Sequence, residues 1–199
     1  MVESRIDSRK KKLGSKRAPV QERSRQRRDE ILAATANLLD RVGFDGLTTT
    51  LVAKELGISV GSLYHYFPHK QAILHALGER WLEEYNAALA KLEESTRDNT
   101  DIEKWAAAAV RYVGEVYEEQ RGILPLVQAM YAVPELRDLD DRHDEQVVSQ
   151  LVPMFDRMKI AKSNSERERI AWLWLEMTHA LFVSISEQDG ARAKRSRED

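Results

Sequence analysis

Apolar residues recur at helical spacing along most of the chain, and the stop signals between the runs divide it into helices. From Arg25 to Val42, Ile31, Leu38 and Val42, with Thr35, keep one face and close on Gly43, a residue suited to ending a helix. Thr48 to Thr50 offer hydroxyl caps for a short second helix through Leu56, which Gly57 ends. Ser59 caps a third through about Phe67, and Pro68 stops it. Beyond Lys70 the pattern predicts helices over about Lys70–Glu94, Asp101–Gln120, Gly122–Tyr131, Pro134–Met158 and Ser165–Gln188, with Pro125 and Pro153 at kinks or early turns. No alternating strand pattern and no fixed-period repeat is present, so the predicted fold is all-α: a three-helix N-terminal unit followed by a larger helical body.

The first unit has the residue types of a helix-turn-helix. Two helices that cross around a tight turn need a small apolar core, a small residue at their approach, a turn residue able to take positive φ, and a second helix with one face free for a DNA groove. Val52, Leu56, Ile58 and Leu63 supply the core, Ala53 the approach and Gly57 the turn. Val60, Gly61, Ser62, Tyr64 and His65 remain outward on the third helix, and none is a large aliphatic that demands burial.

These residues form words that resemble the TetR/AcrR-like family of bacterial transcriptional regulators: Ile31-Leu32-Ala33-Ala34, Gly43-Phe44, Leu47-Thr48-Thr49, then Val52 through Phe67 without a gap, and Lys70. The match is dense over roughly residues 25–80; past it only length and the all-helical layout agree. The resemblance implies a homodimer on a palindromic double-stranded DNA operator, usually a repressor released when a small molecule fits the C-terminal domain. It places Thr49 and Thr50 at phosphate or a base edge, Val60, Gly61, Ser62, Tyr64 and His65 on the recognition face, and Tyr66 and Lys70 on the DNA backbone. Tyr66 stands where many members have histidine, and His69 where a serine-like cap commonly opens the fourth helix, which predicts a weaker cap.

Charge sharpens this picture. The net charge of -2 conceals a basic start, with 11 Lys and Arg against 3 Asp and Glu in residues 1–28. Arg23, Arg25, Arg27 and Arg28 precede or open the first helix, Arg27 among them a candidate phosphate contact. The recognition face lacks Arg, Asn and Gln, the side chains best suited to bidentate base readout, so phosphate contacts and DNA shape are expected to carry much of the specificity. With 42 % hydrophobic and 32 % charged residues, no membrane-length apolar run, no apolar leader and no cysteine, a cytoplasmic protein without membrane partner, metal or cofactor is expected.

Other signals compete less well. Gly57-Ile58-Ser59-Val60-Gly61 spells the nucleophile elbow of serine hydrolases, but an elbow follows a strand and Ser59 lies between two helices. His65 and His69 are spaced for a metal, yet Pro68 interrupts the helix between them. In the body, Trp81, Trp105, Tyr112, Met130, Tyr131, Trp172 and Glu176 are candidates to line an effector pocket, for an apolar or aromatic small molecule. The stretch Ile170–Ile185 is apolar nearly all round, so part of it is expected to meet a partner subunit. The expected organisation is a disordered basic arm (1–22), a DNA-binding domain (23–69), a ligand-binding and dimerisation domain (70–188) and a polar tail (189–199). A regulator that binds DNA without responding to a ligand is the alternative.

Overall fold

The computed structural model describes the backbone of residues 3–98 and 100–186, and side chains from Gln21 onward except that of Tyr131. Among these described residues eight α-helices follow in order: α1 Glu3–Gly46, α2 Thr49–Glu55, α3 Val60–Tyr66, α4 Lys70–Thr96, α5 Ile102–Glu119, α6 Leu124–Ala132, α7 Arg137–Arg157 and α8 Asn164–Ser186. No strand occurs among the described residues. α1 begins well upstream of the start at Arg25 that the apolar period marks, and runs on through Gly14 and Pro19; the polar tail lies outside the described residues. At Gly43 the helix breaks, with φ 70 and ψ -179, a conformation open to glycine and costly for a side chain.

Local chemistry sets the remaining ends. Thr48 accepts the Leu51 N–H at 3.2 Å and Asp101 accepts the Glu103 N–H at 3.0 Å, each satisfying amides at a helix start. Ser163 accepts from the Glu166 N–H at 3.2 Å while the Glu166 carboxylate accepts from the Ser163 and Lys162 amides at 3.3 and 3.0 Å, a reciprocal capping box. Those two backbone donors hold the Glu166 carboxyl below its ordinary pKa. The cap fixes the start of α8 at Asn164, one residue before the expected Ser165. His69 caps α4, its Nδ1 accepting the Ala72 N–H at 3.1 Å. Pro125 opens α6, where its missing N–H costs nothing, and Pro153 lies inside α7.

A single core runs from Ile31 to Phe182 through both parts of the chain. In the N-terminal part α1 contributes Ile31, Leu32, Leu38 and Leu39, and these meet Leu47, Val52, Ala53, Leu63 and Phe67. The linking element is α4, about 40 Å long at 1.5 Å per residue. Its first turns bury Ile73, Leu74 and Leu77 next to the head, and its later turns bury Trp81, Tyr85, Leu89 and Leu92 in the body. At Gly78 an added Cβ would lie 2.6 Å from Leu139 Cδ2, so the Leu139 side chain of α7 packs directly on the α4 backbone there. Farther along, Arg157 pairs with Glu93 at 2.7 Å and holds the end of α7 to α4. A second route joins head and body: α1 packs on the turn Arg121–Ile123 and on α6, where a Gly122 Cβ would stand 3.2 Å from Ala36 O.

Candidate nucleic-acid interface

Between α2 and α3 the chain turns through Gly57 at φ 64, while Gly57 N–H donates to Lys54 O at 3.1 Å and Ile58 N–H to Ala53 O at 3.0 Å. Ser59 then caps α3, accepting the Ser62 N–H at 3.0 Å. That role, and the absence of a preceding strand, remove Ser59 from consideration as a hydrolase nucleophile. Of the expected apolar set, Val52, Ala53 and Leu63 are buried, and Leu56 and Ile58 are partly buried against the same core.

The free face of α3 presents Gly61, Ser62, Tyr64 and His65, all exposed. Val60 is half-buried against the core, so its methyls are only partly offered outward. The Ser62 hydroxyl lies 2.9 Å from that of Ser59, which occupies part of its hydrogen-bonding capacity. Tyr64 OH lies 3.2 Å from Thr49 Oγ1, a bond that joins the start of α2 to the exposed face of α3. Thr50 is exposed one residue further on, and Tyr66 is half-buried with its ring edge-to-face on His65 at 5.2 Å. Expected contacts from two helices therefore share one continuous surface.

The flanking cations divide by what they already do. Arg28, named in the sequence only as part of a basic cluster, donates to Tyr66 O at 2.8 Å and lies 4.3 Å over the Phe67 ring, covering the C-terminal end of α3. The sequence signal for this was weak, because the two partners are 38 residues apart. Lys70 donates to Phe44 O at 3.2 Å and sits 5.0 Å over the Phe44 ring, so its ammonium is positioned by the α1–α2 connection with donors to spare. Arg27 pairs with Glu30 at 2.6 Å on the same helix. Arg41 and Glu55, 2.8 Å apart, tie α1 to α2.

The expected effector residues are not brought together. Trp81, Trp105 and Met130 are buried, Tyr112 is half-buried, and Trp172 and Glu176 stand exposed on α8. The Tyr131 side chain is outside the described residues. Aromatic content points to Trp172 and a carboxylate in an apolar stretch to Glu176, but rotation of the helix decides which part faces in, and Ala171, Leu175 and Phe182 take the inner positions. The outer stripe Ile170, Leu173, Met177 and Leu181, with Trp172 beside it, is uncovered in the monomer. Inside, an aromatic group forms instead: Tyr117 stacks on Phe182 at 5.3 Å, meets Trp81 edge-on at 5.6 Å, and its hydroxyl lies 2.8 Å from His179 Nδ1.

Titratable groups collect beside it. Burial, then the neighbouring His179, pushes the His143 pKa down to about 4, and burial lowers that of His179. On the adjacent face of α7 burial raises Asp144 to about 7 and Asp140 to about 6, each further raised by nearby carboxylates that include Glu176 on α8. The described residues contain no group of three or more acidic or histidine side chains arranged to hold a metal ion, and no helix long and apolar enough to cross a membrane.

Comparison with known proteins agrees with this architecture. The family model for bacterial regulatory proteins of the tetR family matches residues 31–77, and the model for the tetracyclin repressor-like C-terminal domain matches residues 101–199. The HTH-type transcriptional regulator BetI of Stenotrophomonas maltophilia is 27 % identical over 134 residues, 66 % of this chain and 68 % of its own length. A class A tetracycline repressor from Escherichia coli is 44 % identical over 54 residues, which span 27 % of this chain and only 25 % of the repressor. Among solved structures, a TetR transcription regulator from Haloarcula marismortui superposes with TM-score 0.68 at 18 % identity, covering 87 % of this chain and 93 % of its own, a likeness of fold. With both halves of the chain matched and the DNA-facing helix in place, the protein is a DNA-binding transcriptional regulator, not an enzyme, and belongs to the TetR family.

Proposed function

We propose that the protein is a homodimeric repressor that binds a palindromic operator and is released by a small molecule. The observation that carries this reading is the position of α4: Ile73 and Leu74 belong to the buried core beneath the reading head, and Trp81 and Tyr85 to the body core. A rotation or translation of α4 imposed in the body moves the head, and in a dimer changes the separation of the two recognition helices. The exposed apolar stripe of α8 supports dimerisation, since four large side chains in one row are a costly surface for a monomer. Phosphate contacts are assigned to Arg27, Thr49, Tyr66 and Lys70, and groove contacts to Thr50, Val60, Gly61, Ser62, Tyr64 and His65. The N-terminal part of α1 is assigned to the DNA backbone by its charge, 11 Lys and Arg against 3 Asp and Glu in residues 1–28.

The test is operator binding by fluorescence anisotropy, using sites selected from the chromosomal DNA around the protein's own gene. Two half-sites about one helical turn, roughly 34–36 Å, or a small multiple apart are expected. An effector coupled by about 1–3 kcal/mol weakens binding some 5- to 150-fold. Ring-on-ring packing of Trp81, Tyr85 and Tyr117 favours the second reading, a regulator with no ligand response, and operator affinity unchanged by any small molecule would establish it.

A further inference from the structure

The uncovered stripe of α8 is bordered by charges of opposite sign at different heights. Ile170, Leu173, Met177 and Leu181 form the stripe, with Leu173 59 % and Met177 63 % exposed. Along one side of it Arg169, Trp172 and Glu176 follow at steps of three and four residues, so they share one flank, and all three are exposed. Arg169 and Glu176 stand two turns apart, about 10 Å, beyond the one-turn spacing at which a helix pairs its own charges.

Neither charge is neutralised within the protomer. Arg167 is taken up by Asp156 at 3.1 Å, whereas Arg169 has no ion-pair partner among the described residues. Glu176 lies near two carboxylates of α7, Asp140 and Asp144, which are one turn apart. None of these three has a hydrogen-bond or ion-pair partner among the described residues, although Asp144 is only 9 % exposed. Burial, then the crowding of like charges, raises Asp144 to about 7 and Asp140 to about 6. The histidines of the same two helices, His143 and His179, have pKa values lowered by burial and supply no positive charge at neutral pH. An acidic patch without a counter-ion, at the border of an uncovered apolar stripe, draws its cation from outside the protomer.

Symmetry selects that cation. A twofold axis perpendicular to α8 pairs the helix antiparallel with its copy and brings identical flanks together. Charged positions on such flanks set the orientation of packed helices. With the stripes laid end to end, Ile170 of one protomer at the C-terminal end of its partner's stripe, Arg169 comes level with the half of the partner's flank that carries the acidic patch. A twofold axis along α8 gives a parallel pair instead and sets Arg169 beside the other flank, where Trp174, Thr178 and Ile185 offer no carboxylate. The antiparallel arrangement satisfies both charges, and does so twice in each dimer.

We propose that two copies of this chain join with α8 antiparallel across the apolar stripe, Arg169 of each protomer pairing with Glu176 of the partner subunit at the mouth of the acidic patch that Asp140 and Asp144 deepen. This rests on the homodimer proposed above and adds the orientation of its helices and the ion pair that selects it. The stripe supplies most of the affinity, and the flanking charges supply the register.

Sedimentation equilibrium of the full chain tests the pairing by exchanging charges at exposed positions. Arg169→Glu and Glu176→Lys are each expected to weaken the dimer by more than about tenfold, since each sets like charges opposite one another at both contacts. An equal mixture of the two variants is expected to regain wild-type association as a mixed dimer. In that dimer the two substituted positions attract, and the remaining Arg169 and Glu176 meet as in the wild type. Recovery in the mixture also shows that both variants are folded. Undiminished association of either variant, or a mixture no tighter than its components, overturns the proposal. The chain has no cysteine, which gives orientation its own readout. Arg169→Cys is expected to stay unlinked under oxidation, and a disulfide-linked dimer overturns the antiparallel pair in favour of the parallel one. A wild-type chain that sediments as a monomer refutes the homodimer together with this inference, whereas a wild-type dimer indifferent to the charge exchange refutes this inference alone.

Discussion

The reading head and the body differ in how their polar groups are satisfied away from the helix ends, although one core runs through both. In the head, polar groups at the helix ends find local partners: Thr48, Ser59 and His69 each cap a helix, and Arg28 covers the end of α3. In the body, Trp81, Trp105 and His143 keep buried nitrogens without partners, and Asp140 and Asp144 have raised pKa values beside another carboxylate. A surface that must meet a rigid duplex gains from a fixed geometry, so the head satisfies itself. A body that switches between two arrangements, as proposed above, gains from groups whose best partners are absent in one of them.

The largest test of this contrast is to break the surface between subunits. Leu173→Glu with Met177→Glu is expected to yield a monomer by light scattering and to lower operator affinity by more than about a hundredfold, because a half-site alone is held by half of the contacts. Retained dimerisation would assign the α8 stripe another partner. Next in size, Leu63→Ala removes a side chain at 0 % exposure from the head, and thermal unfolding should report a loss of about 2–5 kcal/mol. The common core makes head and body melt together; a separate low-temperature transition would show that α4 does not couple them.

The titrating groups give a third test, with two slopes of opposite sign. A carboxyl whose folded pKa is raised binds a proton that the unfolded chain has released, so Asp144 costs stability as pH rises from its ordinary value of 3.8 to about 7, and the full cost remains above that. Asp144→Asn is therefore expected to raise the melting temperature at pH 8 by a few degrees, on the order of 1 kcal/mol, with the gain vanishing toward pH 4. His143 acts in the other direction: stability is lost as pH falls from 6.5 toward about 4, where the unfolded chain takes a proton and the folded one does not. A stability profile flat between pH 4 and 8 in both wild type and Asp144→Asn would contradict the burial of both groups.

The smallest effects probe the head. Lys70→Ala should reduce the slope of log affinity against log salt by about 0.9, the value for one phosphate. Tyr64→Phe removes the bond to Thr49 and should cost about 0.5–1.5 kcal/mol of operator binding with little change in that slope. A change of slope without change of affinity at fixed salt would move Tyr64 from positioning to phosphate contact.

The helices were legible because each carries its own punctuation. Gly43 and Gly57 take positive φ where the pattern stops, and Ser59, Pro68 and Asp101 mark ends that involve neighbours within a few residues. The recognition face was legible for the same reason: once α3 is a helix, Leu63 buried requires Tyr64 and His65 exposed. The effector set was not, since aromatic content does not specify helix rotation, and Trp172 and Glu176 face out where Leu175 faces in. At His69 the ring nitrogen lies where a hydroxyl would, a geometry that preference orders do not single out because they average over many caps.

By itself, then, the sequence determined the all-α class, the order of its elements, and a helix-turn-helix whose third helix turns Gly61, Ser62, Tyr64 and His65 outward, all consequences of interactions within about four residues. Tertiary structure alone decided that Arg28 reaches Tyr66 and Phe67, that Lys70 is set by Phe44, and that Trp81 and His143 meet with their nitrogens unpaired. Each of these joins residues 26 or more positions apart, and such encounters depend on how helices rotate and pack, which no local periodicity specifies.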